Sequence, residues 1–254
     1  MKKLLSLCFL AGFLFLVSCG DDENNVATDC RLTSFDGLDD FGRLGLNYGS
    51  DGRISSVTST INESGFPLTL TLTATYNGNN LVRLSANIIS FSFTYDASGR
   101  VTRTDFNFDG EVERTEYSYN SNGQLSRVTY FDNFEPDVFL AYSHIDYTYP
   151  NTTSRNPSTA TEFSYDGETA FETGTSELEY DDKRSFVSSA PIIGAMFGFF
   201  GENNLIRETH TGLSTSYVVT YIYQYNAQGY PISGIEQYDD DDDPFSFSMT
   251  YDCQ

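Results

Sequence analysis

The residues Asp105-Phe106-Asn107-Phe108-Asp109-Gly110-Glu111-Val112-Glu113-Arg114-Thr115-Glu116 carry the spacing of a calcium loop. Oxygen side chains stand at positions 1, 3 and 5, Gly at 6, an aliphatic residue at 8 and Glu at 12. Calcium needs such a set because six to eight oxygens must converge on it, with Gly allowing the sharp turn and the last carboxylate binding through both oxygens. Asp105, Asn107, Asp109, Glu111 and Glu116 are the candidate ligands, and calcium is the one candidate cofactor. The flanks, Arg100 to Asp105 and Val112 to Tyr119, read as strands and not as the helices of an EF-hand. The simpler reading is a hairpin turning at Asp109-Gly110, with Asp105 and Glu116 facing each other across it.

Other chemistry is sparse. His144 and His210 each stand alone between strand-like residues, where a histidine is usually a satisfied structural side chain. No His-Glu-x-x-His, nucleophile elbow, phosphate loop or Cys-His neighbourhood occurs, so no catalytic residue is assigned and no enzyme activity is expected. Paired carboxylates for an envelope hydrolase remain an alternative, but with 36 acidic residues some pair lies at a suitable separation by chance. Tyr130, Phe131, Phe134 and Phe139 flank Asp132 to Asp137, read as a loop, and are candidate aromatics for a glycan or protein ligand. The run Asp239 to Asp243 reads as a solvated loop. A formal net charge of −22 excludes nucleic acid as a partner, since binding a polyanion requires neutralising its phosphates.

The elements that would position these residues are strands. Leu68, Leu70, Leu72, Ala74 and Tyr76 alternate with polar residues, as do Phe91, Phe93 and Tyr95, then Tyr221, Tyr223 and Tyr225, then Phe245, Phe247, Met249 and Tyr251. Period two predicts strands with one buried face. Turn pairs separate them, including Asp51-Gly52, Asn77-Gly78, Ser98-Gly99, Asn122-Gly123 and Asp166-Gly167. Pro191 to Gly201 breaks the alternation with an apolar run too short to span a bilayer, and reads as a short plug helix over Ile192 to Phe200. The expectation is one all-β domain, an antiparallel meander of about fourteen strands rolled into a half-barrel or barrel around that plug, with a β-sandwich as the alternative.

Lys2 and Lys3 followed by an apolar run from Leu4 to Val17 have the order of an export signal. Leu16-Val17-Ser18-Cys19 resembles the lipobox of bacterial lipoproteins, which implies cleavage before Cys19 and lipidation of its thiol, hence a membrane anchor. Asp21-Asp22-Glu23 resembles the tag that sends Bacteroidota lipoproteins to the cell surface. That implies the outer membrane, with its periplasmic face as the alternative. The chain then divides into a signal peptide over 1–18, a lipidated acidic tether over 19–29 and a single domain over 30–254. In an oxidising compartment Cys30 and Cys253, at the two ends of that domain, would form a disulfide, the alternative being two separate thiols.

Tyr95-Asp96-Ala97-Ser98-Gly99-Arg100-Val101, Tyr119-Asn120-Ser121-Asn122-Gly123-Gln124-Leu125 and Tyr225-Asn226-Ala227-Gln228-Gly229-Tyr230 share a pattern with weaker copies at Tyr48 to Ile54, Tyr76 to Leu81 and Tyr180 to Arg184. It resembles the YD repeat of RHS-type proteins, although its irregular spacing and the short chain speak against a closed toxin shell. Leu178-Glu179-Tyr180-Asp181-Asp182-Lys183 and Asn203-Asn204-Leu205-Ile206-Arg207 resemble signatures of small YD-like lipoproteins of Bacteroidota, a likeness over most of residues 40 to 252. It implies a shared fold and no established activity. The functional expectation is a non-enzymatic, envelope-anchored binding or scaffold protein for an unidentified protein or glycan, with a calcium-stabilised adhesin as an alternative.

Overall fold

The computed structural model describes residues 30–38, 42–63, 66–135, 138–197, 201–239 and 243–253. The export signal, Cys19 and the acidic tether lie outside the described residues. The strands are β1 (Cys30–Leu38), β2 (Gly42–Tyr48), β3 (Ile54–Glu63), β4 (Phe66–Asn77), β5 (Asn80–Ala86), β6 (Ile89–Tyr95), β7 (Val101–Phe108) and β8 (Glu111–Tyr119). They continue as β9 (Leu125–Glu135), β10 (Val138–Thr148), β11 (Thr159–Asp166), β12 (Thr169–Arg184), β13 (Asn203–Gly212), β14 (Ser216–Tyr225), β15 (Pro231–Tyr238) and β16 (Phe245–Cys253). Between β12 and β13 stand α1 (Phe186–Ser189) and α2 (Pro191–Phe197).

Each strand pairs antiparallel with its sequence neighbours, and β1 pairs with β16, so the meander closes into a barrel. Closure settles the barrel against the half-barrel and the sandwich, and leaves no unpaired sheet edge. The sixteen strands exceed the expected fourteen because several turns carry no Asn-Gly or Asp-Gly pair. Between β5 and β6, for example, Asn87 itself takes the positive φ, 44°, that the turn requires. The closing seam is covalent as well: Cys30 and Cys253 face each other across β1 and β16 and are disulfide-bonded.

The strongest repeat in the sequence builds one rim. In the turn after β6, the Asp96 carboxylate accepts the backbone N–H groups of Ser98 and Arg100, both at 2.9 Å. Asn120 and Asn226 repeat this geometry in the turns after β8 and β14. Gly99, Gly123 and Gly229 take φ near +80°, open to glycine at little cost. Tyrosines at or near the ends of the even-numbered strands turn inward and donate their hydroxyls to carbonyls near the start of the preceding strand. Tyr48 reaches Leu32, Tyr76 reaches Ile54, Tyr95 reaches Leu81, Tyr119 reaches Val101, Tyr149 reaches Leu125 and Tyr223 reaches Leu205, at 2.7 to 3.0 Å. Burial lifts the Tyr48 and Tyr95 phenols to about 12, so they stay donors across the physiological range. Arg53 and Arg100 lie over the Tyr76 and Tyr119 rings at 4.5 and 4.3 Å from the ring centroids.

The plug enters from this tyrosine rim. Ala190, Ile193 and Ala195 are buried, and the Ala195 carbonyl accepts hydrogen bonds from Tyr117 on β8 and Thr104 on β7, across the barrel. Its two ends are clamped by the motifs that the resemblance singled out. The Asp181 carboxylate accepts the backbone N–H of Asn204 at 3.1 Å, the Asn204 side-chain amide and the Tyr225 hydroxyl. Asn203 meanwhile donates to the Lys183 carbonyl at 2.8 Å. The sequence predicts one helix over 192–200. Two short helices stand here instead, and residues 198–200 lie outside those described.

The inner wall is largely apolar, with Leu32, Leu44, Val57, Leu72, Leu84, Phe91, Leu125, Val128 and Ile145 all buried. Much of the outer wall carries Thr, Ser and charge, as in Arg103, Asp105 and Arg114 on β7 and β8 or Arg127 and Asp146 on β9 and β10, with Ile222 and Ile235 exposed side by side on β14 and β15. A membrane-spanning barrel needs the opposite sidedness, an apolar outer band about 25 Å tall.

Candidate functional site

The predicted calcium ligands are strung along a hairpin. β7 and β8 turn at Asp109-Gly110, with φ of 51° and 94°, and the register sets Asp105 opposite Arg114, and Glu116 opposite Arg103. The Asp105 carboxylate is held by Arg114 at 2.7 Å and by Arg103 at 3.0 Å, so guanidinium groups occupy its oxygens. Asn107 accepts the Gly110 N–H, and Glu111 lies opposite Phe108. Among the described residues no group of three or more His, Cys, Asp or Glu side chains converges as a metal site would.

The candidate aromatics are divided between the two faces of the wall. Asp132 to Glu135 continue β9 instead of forming a loop, and alternation then separates neighbours. Tyr130 shares the inner face with Val128, whereas Phe131 and Phe139 point outward, where the Arg114 guanidinium lies 3.7 Å from the Phe139 centroid. The side chain of Phe134 lies outside the described residues. His144 is also on the outer face, stacked on Phe163 at 4.5 Å and buried, which lowers its pKa. Of the acidic run, Asp239 caps the Val218 N–H at 3.0 Å, and 240–242 are not described.

What the sequence does not announce is an opening. Along the inner face of β4, exposure rises from 4% at Leu72, through the half-buried Leu70, to 63% at Leu68. The same gradient ends on Phe108, Leu140 and Phe171, which the register also places on the inner face and which are exposed. Plug and tyrosines fill one end, and at the other, among the described residues, these inner-face apolar side chains are exposed.

Deeper in the barrel, one stretch of the inner wall is polar and buried. The register aligns Ser176 on β12 with His210 on β13 and Tyr217 on β14, and Leu178 with Glu208, Val219 and Tyr238. Ser176 donates to a Glu208 carboxylate oxygen at 2.7 Å, and its oxygen lies 3.0 Å from His210 Nδ1. The imidazole stacks on Tyr217 at 4.6 Å and lies against the backbones of Gly174 and Gly212. A Cβ on Gly174 would stand 2.5 Å from His210 Cε1, so only glycine leaves room for the ring. Glu162 on β11 pairs with Gly174, and Glu236 on β15 with Tyr221. Burial raises the Glu208 pKa, with Ser176 and His210 opposing and Glu162 adding to the rise. At the mouth, burial followed by Asp132 and Glu111 raises Glu113 in the same way.

The order Glu208, Ser176, His210 differs from a nucleophilic triad, in which histidine stands between serine and acid and removes the serine proton. Here Ser176 gives its proton to the carboxylate and presents no activated oxygen. Sequence reasoning passed over Ser176 and Glu208 and read His210 as a structural side chain. The usable signal was parity: Glu208 and His210 are two apart on one strand and so share a face.

The fold and its site thus define a closed, sixteen-stranded antiparallel barrel with a plug at one end and, among the described residues, exposed inner-face apolar side chains at the other. No protein-family model and no curated protein matches the chain. Two solved structures resemble it in fold. One is a porin-like protein from Bacteroides uniformis, 15% identical, covering 84% of this chain and 89% of that one at a TM-score of 0.53. The other is a porin-like protein from Bacteroides vulgatus, 12% identical, covering 88% and 99% respectively at a TM-score of 0.55.

Proposed function

We propose that this chain is a lipid-anchored, non-enzymatic protein of the bacterial outer membrane whose barrel serves as a binding cup. The observation that carries this reading is the exposure gradient on the inner face: apolar side chains that would normally be covered line an opening into the barrel. The porin-like neighbours agree in fold. The charged outer wall favours a barrel that stands on a membrane over one that spans it. The absence of an activated nucleophile beside Ser176 favours binding over hydrolysis.

The anchor and the cup fit together. The tether joins the domain at Cys30, which starts β1 on the tyrosine rim. Lipid at Cys19 would hold the plugged end towards the bilayer and turn the mouth outward.

Saturable binding of the neutral fluorophore N-phenyl-1-naphthylamine tests the cup, with Leu140→Arg and Phe171→Arg, both at the mouth, expected to weaken it. Binding that is unsaturable, or that ignores both substitutions, rules the cup out. Detergent phase partition of cells expressing the wild type and Cys19→Ser tests the anchor, and a wild-type protein found in the aqueous phase refutes it. Protease shaving of intact cells separates surface display from the periplasmic face.

A further inference from the structure

At the end of the barrel away from the plug, the consecutive strands β7 to β10 leave a sheet face uncovered. Phe108, which ends β7, is 43% exposed and Leu140 on β10 is 51% exposed, both on the inner face. The neighbouring hairpin adds Ile88, 53% exposed, whose carbonyl accepts the Asp109 N–H at 2.9 Å. Large apolar side chains left in water at adjacent hairpin ends mark a surface that another molecule covers.

Between Phe108 and Leu140 that face is acidic. The register pairs Phe108 with Glu111, Phe106 with Glu113 and Leu140 with Asp132. Arg114 on β8 pairs with Phe131 on β9, which brings Glu113 beside Asp132 where that ladder ends. All three acids are exposed, and among the described residues none has an ion pair. The nearby cations Arg103 and Arg114 lie on the outer face and are held by Asp105. Cross-strand pairs stabilise a sheet when apolar meets apolar or charge meets opposite charge. These pairs do neither, and a covering segment that carries both apolar groups and cations completes them.

Charge decides between occupants. A second copy of this face would bring the same acids against these, and anionic lipid head groups are repelled in the same way, whereas a basic partner is attracted. Spacing narrows the choice further. From β7 to β10 is three strand spacings, about 14 Å, and an extended chain sets residues i, i+2 and i+4 on one face over about 13 Å.

We propose that this face docks a partner protein through an extended segment of the pattern apolar-x-basic-x-apolar, its Lys or Arg on Glu113 and Asp132 and its apolar side chains on Phe108 and Leu140. The proposal deepens the binding reading above by naming a partner. It uses the exposed hairpin ends and requires no entry into the barrel, so naphthylamine uptake and docking can fail independently.

The test is calorimetric titration of the full chain carrying Cys19→Ser, purified without detergent, with three end-capped peptides. One is Leu-Ser-Lys-Ser-Leu-Ser-Lys-Ser-Leu, the second has Glu in place of Lys, and the third has Ser in place of Leu. The Leu/Lys peptide should bind at least about tenfold more tightly than either of the others. Glu113→Gln with Asp132→Asn should remove most of its advantage over the Leu/Glu peptide, and Phe108→Ser with Leu140→Ser most of its advantage over the Ser/Lys peptide. Circular dichroism confirms that each pair is folded, and the single variants replace a pair that is not. Glu177→Gln removes an exposed charge from the outer face and should change nothing. Equal binding of the Leu/Lys and Ser/Lys peptides overturns the docking, in favour of simple charge attraction. Losses in Glu177→Gln equal to those in the acidic pair overturn it too, in favour of a general effect of net charge. If the Leu/Lys peptide does not bind saturably, the docking falls and the cup keeps its own test. Flotation with phosphatidylcholine vesicles, or a dimer in sedimentation, that is lost in Phe108→Ser with Leu140→Ser would instead assign the face to lipid or to a second copy, and either result overturns the proposal.

Discussion

The tyrosine rim can be dismantled one hydroxyl at a time. Replacing Tyr48, Tyr95 and Tyr149 with Phe keeps each ring and deletes only the donor to Leu32, Leu81 and Leu125, three residues that are themselves buried. A typical internal hydrogen bond contributes about 1 kcal/mol, and a carbonyl left buried without a donor raises the cost towards about 3 kcal/mol. The three sites belong to different hairpins with another tyrosine between each pair, so their effects should add. The triple variant should thus lose at least about 3 kcal/mol, which for a domain of this size lowers Tm by roughly 6 to 12 °C. Differential scanning calorimetry of the wild type, the three single variants and the triple variant measures this. Tyr165→Phe is the control, since the Tyr165 hydroxyl has no partner among the described residues and its ring contact with His144 survives the change. A triple variant within about 2 °C of the control would refute the view that these hydroxyls hold the rim.

Closing a loop of 223 residues, the Cys30–Cys253 bond contributes about 5 kcal/mol in the chain-entropy account, so Cys30→Ser with Cys253→Ser should lower the urea midpoint markedly in non-reducing buffer. Gly174→Ala places a methyl group 2.5 Å from His210 Cε1 and should destabilise the fold by about 1 to 3 kcal/mol, while Gly78→Ala, whose methyl would meet open space but at φ +60°, should cost less. Glu208 favours its protonated form in the folded state, so its contribution is most favourable below the unfolded value near 4.5 and is lost as pH rises through the raised folded value. Glu208→Gln should therefore gain stability relative to the wild type at pH 8, and thermal melts should show that advantage shrinking as pH falls to 4.5.

Alternation of side chains made the strands legible, and two cysteines at the ends of the domain made closure legible, because both are properties of single positions read in order. The repeated Tyr-Asp-x-x-Gly pattern showed where the turns fall. It did not show that most of these tyrosine hydroxyls would reach back to the preceding strand, contacts 14 to 24 residues away in sequence, or that Tyr225 would reach Asp181 instead. The polar wall was harder to see. Ser176 and His210 meet only because β12 and β13 pair in one register, and the plug intervenes between them in sequence. Leu68 read as core because period two reports which face a residue takes and not how far along the barrel the filling extends. Tyr130 and Phe131 looked like one aromatic patch for the same reason: neighbours in sequence occupy opposite faces of a strand.

The seam also has a mechanical consequence. A pull on the segment before Cys30 passes through the disulfide to Cys253, so it loads both ends of the meander at one point. No terminal strand is free to peel, and none of the chain between the two cysteines can be paid out as slack. The barrel has to yield as a whole ring or hold.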